Sequence, residues 1–139
     1  MTEKMKYFVV NPGGNTTAIV PGVFDTQKRK VIALQILNKN KTIEQVGFCM
    51  PARSKKAIAR LEMAGGEFCG NATRSLAALL ARKKAFFMEV SGLSRPVKVQ
   101  ASRKRASITL PLQAFHINND ICKLPGITHV LKSKKVSRV

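Results

Sequence analysis

Residues 72–82 constrain the fold of this chain most strongly, because they predict a helix with almost no polar surface. Their sequence, ATRSLAALLAR, is rich in alanine and leucine, which are strong helix formers, and it carries only two charges. A helix of this kind is covered by other elements on most of its sides. With 139 residues, of which 45% are apolar, the chain can supply that cover within one domain.

Seven short segments have the alternation or the β-branched content that is typical of strands. They are residues 5–10, 17–20, 45–50, 57–63, 86–90, 96–101 and 107–110. Turn residues alone separate the last three segments, which predicts a meander. We therefore predict an α+β fold in which a curved mixed sheet wraps around a central helix, within a domain of residues 1–115.

A second helix is predicted after Asp25, which has the side chain of an N-cap, and it should end at residues 38–40. Apolar residues recur near helical spacing along it. The side chains expected to face the core are Val31, Leu34, Ile36 and Leu37. Those expected to face solvent are Lys28, Arg29 and Lys30.

The charge of the chain is strongly positive, with 25 basic against 7 acidic residues and a net charge of +18. Residues 116–139 are predicted to form a basic tail that is poorly ordered or truncated. Positive charge of this size suits contacts with phosphates, so a small basic module that binds nucleic acid without catalysis is one interpretation. The low aromatic content of 6% and the absence of tryptophan count against that interpretation.

Three cysteines are too few for a disulfide-stabilised secreted scaffold. No Cys-x-x-Cys pair occurs and only two histidines are present, so no metal site is expected. No apolar run approaches the roughly 18 residues that a membrane span needs. Free thiols without a membrane segment lead us to expect a cytoplasmic protein.

Cys69 is the first candidate for chemistry, because it lies in the segment GGEFCGNATR, where two glycines turn the chain into the apolar helix. The partial positive charge at a helix N-terminus favours the thiolate form of a cysteine. Gly70 has no side chain to keep an anionic ligand from the backbone amides, and Asn71 can cap the helix or donate to a ligand. The alternative is that Cys69 is a small buried apolar residue beside an ordinary turn.

A second loop, NPGGNT at residues 11–16, can present Asn15 to the polar groups of a substrate. Asparagine and glycine are also the usual residues of any turn, and that interpretation stays open. The loop has neither the lysine of a phosphate-binding loop nor the glycine spacing of a dinucleotide site, which excludes nucleotide binding here.

Together these segments resemble the diaminopimelate epimerase-like superfamily, and most closely its branch of histidine racemases of metallophore biosynthesis. Residues 66–74 resemble its Cys-Gly-Asn helix start, residues 11–15 its first substrate loop, residues 44–48 a strand and residues 89–92 a hairpin. The resemblance runs from about residue 7 to residue 113.

The resemblance implies racemisation or epimerisation of an amino acid without pyridoxal phosphate or metal, by two cysteines on opposite faces of the α-carbon. By position, Cys69 would be the acid/base of the first half. Gly70 and Asn71 would anchor the substrate carboxylate through their amides, and Asn15 and Gln45 would contact the substrate.

Two departures from the family pattern stand out. Glu62 falls near the position where the diaminopimelate branch carries a substrate-binding asparagine, which argues against that substrate. No second Cys-Gly helix start follows residue 110. We therefore expect the chain to be an N-terminal half, a fragment or the product of a truncated or altered gene. Its second cysteine would come from a missing C-terminal half or a homodimer partner.

Overall fold

The computed structural model describes residues 4–110, 116–118, 121–124 and 127–130. Its helices are α1 (Thr26–Lys39) and α2 (Gly70–Leu79). Its strands are β1 (Phe8–Val10), β2 (Thr17–Pro21), β3 (Gln45–Met50), β4 (Ala57–Met63), β5 (Phe86–Val90), β6 (Val97–Ala101), β7 (Ala106–Thr109), β8 (His116–Asn118), β9 (Ile121–Leu124) and β10 (Ile127–Val130). No helix in these ranges is both long enough and apolar enough to cross a membrane.

The strands β1 to β7 form one sheet in chain order. The sheet is mixed, because β2 pairs with β3 and β4 pairs with β5 in parallel, while its other pairs are antiparallel. It curls around α2, which contacts β2, β3, β4, β6 and β7. The predicted α+β fold, with a curved mixed sheet around one helix, is confirmed, and so is the β5–β6–β7 meander.

The core is divided between the two faces of the sheet. Inside the curl, Ala72, Leu76 and Ala77 of α2 are buried against apolar side chains of the surrounding strands. On the outer face, α1 packs Ile32 and Ile36 over a second apolar cluster. The small alanines of α2 let the strands approach its backbone closely, which explains how a curved sheet can enclose it.

The bounds of α2 differ from the predicted range of 72–82 at both ends. The helix begins at Gly70 because Cys69 itself is the N-cap, its sulfur accepting a hydrogen bond from the N–H of Ala72. It ends at Leu79, whose side chain is already 43% exposed. Leu80 is the C-cap and donates its N–H to the carbonyls of Leu76 and Ala78. Leu80 and Ala81 still pack partly buried against the core, so the helix ends before its apolar contacts do.

The N-cap of α1 is confirmed, since the Oδ1 atom of Asp25 accepts a hydrogen bond from the N–H of Lys28 at 2.8 Å. The predicted inner face is wrong in part. Val31 and Leu34 are 47% and 61% exposed, while Ile36 is buried and Leu37 is partly buried.

The actual inner face of α1 includes Arg29, Ile32, Ala33 and Ile36, which lie at helical spacing on one side. Arg29 was expected to face solvent, yet its side chain is largely buried and its guanidinium lies 4.0 Å from the carboxylate of Glu62. The guanidinium also donates to the carbonyl of Phe24 at 2.7 Å. The inner face of α1 thus includes a charged side chain, which the apolar pattern of the helix does not predict.

Glu62 belongs to a buried cluster of charges between β4 and β5. Its carboxylate pairs with Arg60, whose guanidinium also lies 3.5 Å from the carboxylate of Glu89. Glu89 in addition accepts hydrogen bonds from the backbone N–H groups of Arg53 and Ser54, at 3.0 and 2.7 Å. The cluster therefore ties the loop before β4 to β5.

We expect Glu89→Gln to destabilise the chain by about 2 kcal/mol at pH 7, because a charged acceptor of several hydrogen bonds is lost. Burial by itself raises the pKa of the Glu89 carboxyl, but the N–H groups of Arg53 and Ser54 and the Arg60 guanidinium lower it, and the net pKa is below its ordinary value. A lowered pKa stabilises the folded chain above about pH 4.3, and the contribution is lost as the pH falls through the folded-state value.

The measurement is urea unfolding of the wild type and the variant at pH 7 and at pH 3. The difference between them should shrink at the lower pH. Glu67→Gln, which alters a partly exposed carboxylate outside the cluster, is the matched control and should cost little. An equal difference at both pH values would contradict a role for the Glu89 charge.

The strands β8, β9 and β10 form a separate antiparallel sheet with β9 in the centre. They lie within the range that the sequence analysis assigns to a basic tail. The domain boundary at residue 115 and the character of the tail remain predictions, and residues 131–139 lie outside the described residues.

Candidate functional site

Parallel pairing of β2 with β3 brings two of the predicted site residues together. Thr17, the first residue of β2, is paired with Gln45, the first residue of β3, and Asn15 lies just before β2. The N-terminus of α2 faces the same place, so that Cys69 and Gln45 are in contact although 24 residues separate them. The structure therefore joins Asn15, Gln45 and Cys69 in one site.

Cys69 is held by contacts on both sides of its sulfur. Sγ lies 3.4 Å from the backbone nitrogen of Ala72, which donates to it, and 3.3 Å from Oε1 of Gln45. The carbonyl of Cys69 accepts hydrogen bonds from the N–H and the hydroxyl of Thr73. The residue as a whole is only partly buried, and these contacts fix the position of its sulfur.

Gly70 and Asn71 are the first two residues of α2, and their N–H groups therefore have no acceptor within the helix. Within the described part of the chain, these two N–H groups donate no hydrogen bond to any other acceptor. A side chain at position 70 would meet no atom within 4 Å, so open space adjoins these amides. This is the geometry in which a helix N-terminus can hold an anionic group such as a carboxylate.

The side chain of Asn71 does not cap α2, because Cys69 does so and Asn71 instead accepts a hydrogen bond from the guanidinium of Arg74. The capping role considered for Asn71 in the sequence analysis is wrong. Its backbone N–H remains at the open end of the helix beside that of Gly70.

Asn15 adopts the left-handed backbone conformation, with φ at +55°, which asparagine tolerates better than most residues. Its backbone carbonyl, rather than its exposed side chain, points to the site, where it accepts the hydroxyl of Thr17 at 2.8 Å. Upstream, Oδ1 of Asn11 accepts the N–H groups of Gly13 and Gly14, which shapes the glycine turn. A direct contact between the Asn15 side chain and a substrate stays a prediction.

Thr17 and Ser91 are parts of the site that the sequence analysis did not identify. Thr17 is fully buried, and its hydroxyl also lies 2.7 Å from Nε2 of Gln45. Ser91 donates to the carbonyl of Glu67 at 2.7 Å and accepts the N–H of Met63 at 3.0 Å. In both cases the available signal was a hydroxyl residue at the end of an apolar strand segment, since Thr17 begins β2 and Ser91 directly follows β5.

The turn after β5 supports the segment that leads into α2. Gly92 has φ at +82°, and a Cβ atom there would lie 2.6 Å from the backbone nitrogen of Phe68. Phe68 is buried and immediately precedes Cys69. The close approach of two backbones at Gly92 thus sets the position of the cysteine.

Cys49 differs from Cys69 in its surroundings. It lies near the end of β3 and packs against the apolar cluster around α2. Burial raises the pKa of the Cys49 thiol, which favours the inert protonated form at neutral pH. Among the residues whose side chains the structure describes, no group of three or more His, Cys, Asp or Glu could hold a metal ion.

A basic groove of about 960 Å³ lies between the loop after β1 and the β6–β7 turn. Among the described residues, six cationic side chains and no acidic or aromatic ones line the groove. The cationic residues are Arg74, Arg82, Lys83, Arg103, Lys104 and Arg105. The charge of the groove suits phosphates. It offers no aromatic surface on which bases could stack, a contact that single-strand-binding proteins commonly use.

Comparison with known proteins gives a consistent result. The sequence profile of the histidine racemase CntK N-terminal domain matches residues 4–128. A histidine racemase of Fusobacterium nucleatum subsp. nucleatum is 30% identical over 158 aligned positions, which cover 98% of this chain and 57% of the relative. A histidine racemase of another strain is 35% identical over 94 positions, covering 66% of this chain and 33% of the relative. The chain spans little more than half the length of these curated relatives.

Proposed function

Because this chain belongs to the histidine racemase CntK N-terminal domain family, we propose that it supplies one half of a cofactor-independent amino-acid racemase. In this proposal Cys69 is the acid/base on one face of the substrate α-carbon. A second half, or a second copy of the chain, supplies the residue on the opposite face. Residues 1–115 would form the domain that carries the first face.

The observation that carries the proposal is the position of the Cys69 sulfur beside the open N-terminus of α2. A carboxylate held by the N–H groups of Gly70 and Asn71 would lie beside a thiol that can exchange a proton with the neighbouring carbon. When the α-proton leaves, the electrons of the C–H bond spread into that carboxylate. Hydrogen-bond donors aimed at the developing charge lower the barrier to this step.

Inversion at the α-carbon requires a base on one face and an acid on the other, so one cysteine is not sufficient. Cys49 is a poor second candidate, because its partly buried thiol favours the protonated form and packs against the core. The proposal therefore assigns the opposite group to a second half of the enzyme or to a second copy of the chain.

The surroundings of Glu62 support a substrate other than diaminopimelate. Its carboxylate is buried and paired with Arg60, and the guanidinium of Arg29 lies nearby. A side chain engaged in this way cannot replace a substrate-binding asparagine. The relatives are histidine racemases, and we propose histidine as the first substrate to test.

The basic groove is the observation that favours the second candidate, a module that binds nucleic acid through phosphates. Binding of phosphates in this groove would account for its positive charge but for none of the contacts around Cys69. The racemase proposal accounts for the cysteine at the helix start, the free amides beside it and the residues that hold them in place, and we favour it for that reason.

The test is exchange of the histidine α-proton with deuterated water. We expect deuterium at the α-carbon, together with interconversion of the enantiomers, when this chain is joined to the part of the F. nucleatum relative that it does not span. NMR of the recovered amino acid measures the exchange, and chromatography on a chiral phase measures the interconversion.

The two controls for this experiment are the added part of the relative without this chain and this chain alone. Exchange by the added part without this chain would remove the need for Cys69. A folded, joined protein that shows no exchange with either enantiomer would contradict the proposal.

A further inference from the structure

We propose that Gln45 holds Cys69 as a protonated thiol in the resting site, through a chain of hydrogen bonds that starts at the backbone carbonyl of Asn15. This inference rests on the proposed function, since it assigns a resting proton to the cysteine that is to exchange one. It makes Gln45 a positioning residue for the thiol, in addition to any contact that Gln45 makes with a substrate.

The hydroxyl of Thr17 has one proton to donate. Its Oγ1 atom lies 2.8 Å from the carbonyl oxygen of Asn15. A carbonyl oxygen can only accept, so the hydroxyl proton must point to Asn15. The oxygen of Thr17 is then left as an acceptor towards any other neighbour.

The side-chain amide of Gln45 has one end that donates hydrogen bonds, the NH₂ group, and one end that accepts them, the oxygen. One end lies 2.7 Å from Oγ1 of Thr17 and 3.5 Å from the carbonyl of Asn15. Both of these neighbours are acceptors in this arrangement, so only the NH₂ group fits there. Turning the amide over would place its oxygen against two other oxygens.

Cys69 faces the other end of the same amide. With the NH₂ group turned to Thr17, Oε1 of Gln45 points to Sγ of Cys69 at a distance of 3.3 Å. An amide oxygen has no proton to offer, so a hydrogen bond at this contact needs the S–H proton of the cysteine. A thiolate there would face the negative end of the amide dipole.

The N–H of Ala72 acts in the opposite direction, because it donates to the same sulfur at 3.4 Å and favours the thiolate. The cysteine thus has one contact that favours the thiol and one that favours the thiolate. In the resting site the thiol satisfies both contacts, donating to Gln45 and accepting from Ala72. The thiolate could satisfy only the second.

This arrangement prepares Cys69 to act first as the acid. A base on the opposite face removes the α-proton of the substrate, and the electrons of that C–H bond move into the carboxylate. As the carbon is reprotonated, the S–H bond of Cys69 breaks and its proton forms the new C–H bond. The electron pair stays on sulfur as a thiolate, which the N–H of Ala72 stabilises.

The experiment measures the rate of alkylation of Cys69 by iodoacetamide between pH 5 and 10 in this chain, without substrate. Mass spectrometry of the peptide that contains Cys69 gives the rate, and the peptide with Cys49 serves as an internal reference. We expect Gln45→Met to move the midpoint of the pH profile down by about one pH unit. At any fixed pH below both midpoints, the variant then has about tenfold more thiolate than the wild type.

Thr17→Val should move the midpoint in the same direction, although Thr17 makes no contact with the sulfur, because the amide loses the acceptor that orients it. Thr17→Ser keeps the hydroxyl and should restore the wild-type midpoint. Thr42→Val, which removes an exposed hydroxyl that bonds Asn40, is the matched control and should leave the profile unchanged.

An unchanged midpoint in folded Gln45→Met, or a shift to higher pH, would overturn the proposal. A shift to higher pH would mean that the NH₂ group of Gln45 faces sulfur and stabilises the thiolate. Circular dichroism checks that each variant is folded. Alkylation needs no substrate, so its result is independent of the exchange assay. The proposal for Gln45 can therefore fail while the exchange assay succeeds, and the reverse is also true.

Discussion

Cys69→Ser is expected to lower the exchange of the substrate α-proton by at least about 100-fold, since acid–base groups contribute roughly 10²–10⁴-fold to such reactions. A serine hydroxyl is a far weaker acid than a thiol, and its alkoxide is not populated near neutral pH, so serine can neither deliver nor remove the proton efficiently. Serine is also a good N-cap, and its oxygen can accept the N–H of Ala72 in place of sulfur. The variant should therefore keep the helix while losing the chemistry.

Cys69→Ala separates the two roles of the residue. It should lose the exchange as fully as Cys69→Ser and should in addition cost about 1 kcal/mol of stability, because alanine cannot cap α2. Exchange is measured by deuterium incorporation in the joined protein described above, and stability by urea unfolding of this chain.

The matched control is Cys49→Ala, which removes a thiol that takes no part in the proposed reaction and should keep most of the exchange. Undiminished exchange in either Cys69 variant would contradict the assignment of this residue as the acid/base.

Gly92→Ala is expected to destabilise the chain by about 3 kcal/mol. A left-handed backbone costs a residue with a side chain roughly 1–2 kcal/mol, and overpacking adds a further 1–3 kcal/mol. Here the new Cβ atom would lie 2.6 Å from the backbone nitrogen of Phe68, which cannot move away like a flexible side chain. Because Phe68 precedes Cys69, the helix start should be displaced as well.

Gly66→Ala is the matched control for this prediction. Gly66 also has a positive φ, of +76°, but a Cβ atom there would meet nothing within 4 Å. It should cost only the conformational part, about 1–2 kcal/mol. Urea unfolding measures both variants, and equal losses of stability would show that the approach of Gly92 to Phe68 has no energetic effect.

Much of the fold follows from local patterns in the sequence. The apolar composition of residues 72–82 predicts an enclosed helix, and the strands needed to enclose it can be found by their alternation. The N-cap at Asp25 is equally local, because the side chain and the N–H that it accepts are three residues apart. Features of this kind depend on neighbours along the chain and can be predicted from it.

The rotation of α1 could not be predicted in this way. The apolar residues of the helix allow more than one inner face, and the observed one buries Arg29 near Glu62 while exposing Leu34. The two charges lie 33 positions apart, and their proximity depends on how the helix sits on the sheet. A pattern within one helix contains no information about the charge beneath it.

For the site, the sequence by itself determined where the candidate residue lies, namely Cys69 at the start of an enclosed helix. Only the tertiary structure decided what surrounds the sulfur. Parallel pairing of β2 with β3 sets Thr17 beside Gln45, and the curl of the sheet brings both to the N-terminus of α2. Hydrogen bonds act over about 3 Å, so the direction of the Gln45 amide, on which the proposed resting proton of Cys69 rests, depends on distances that exist only in the folded chain.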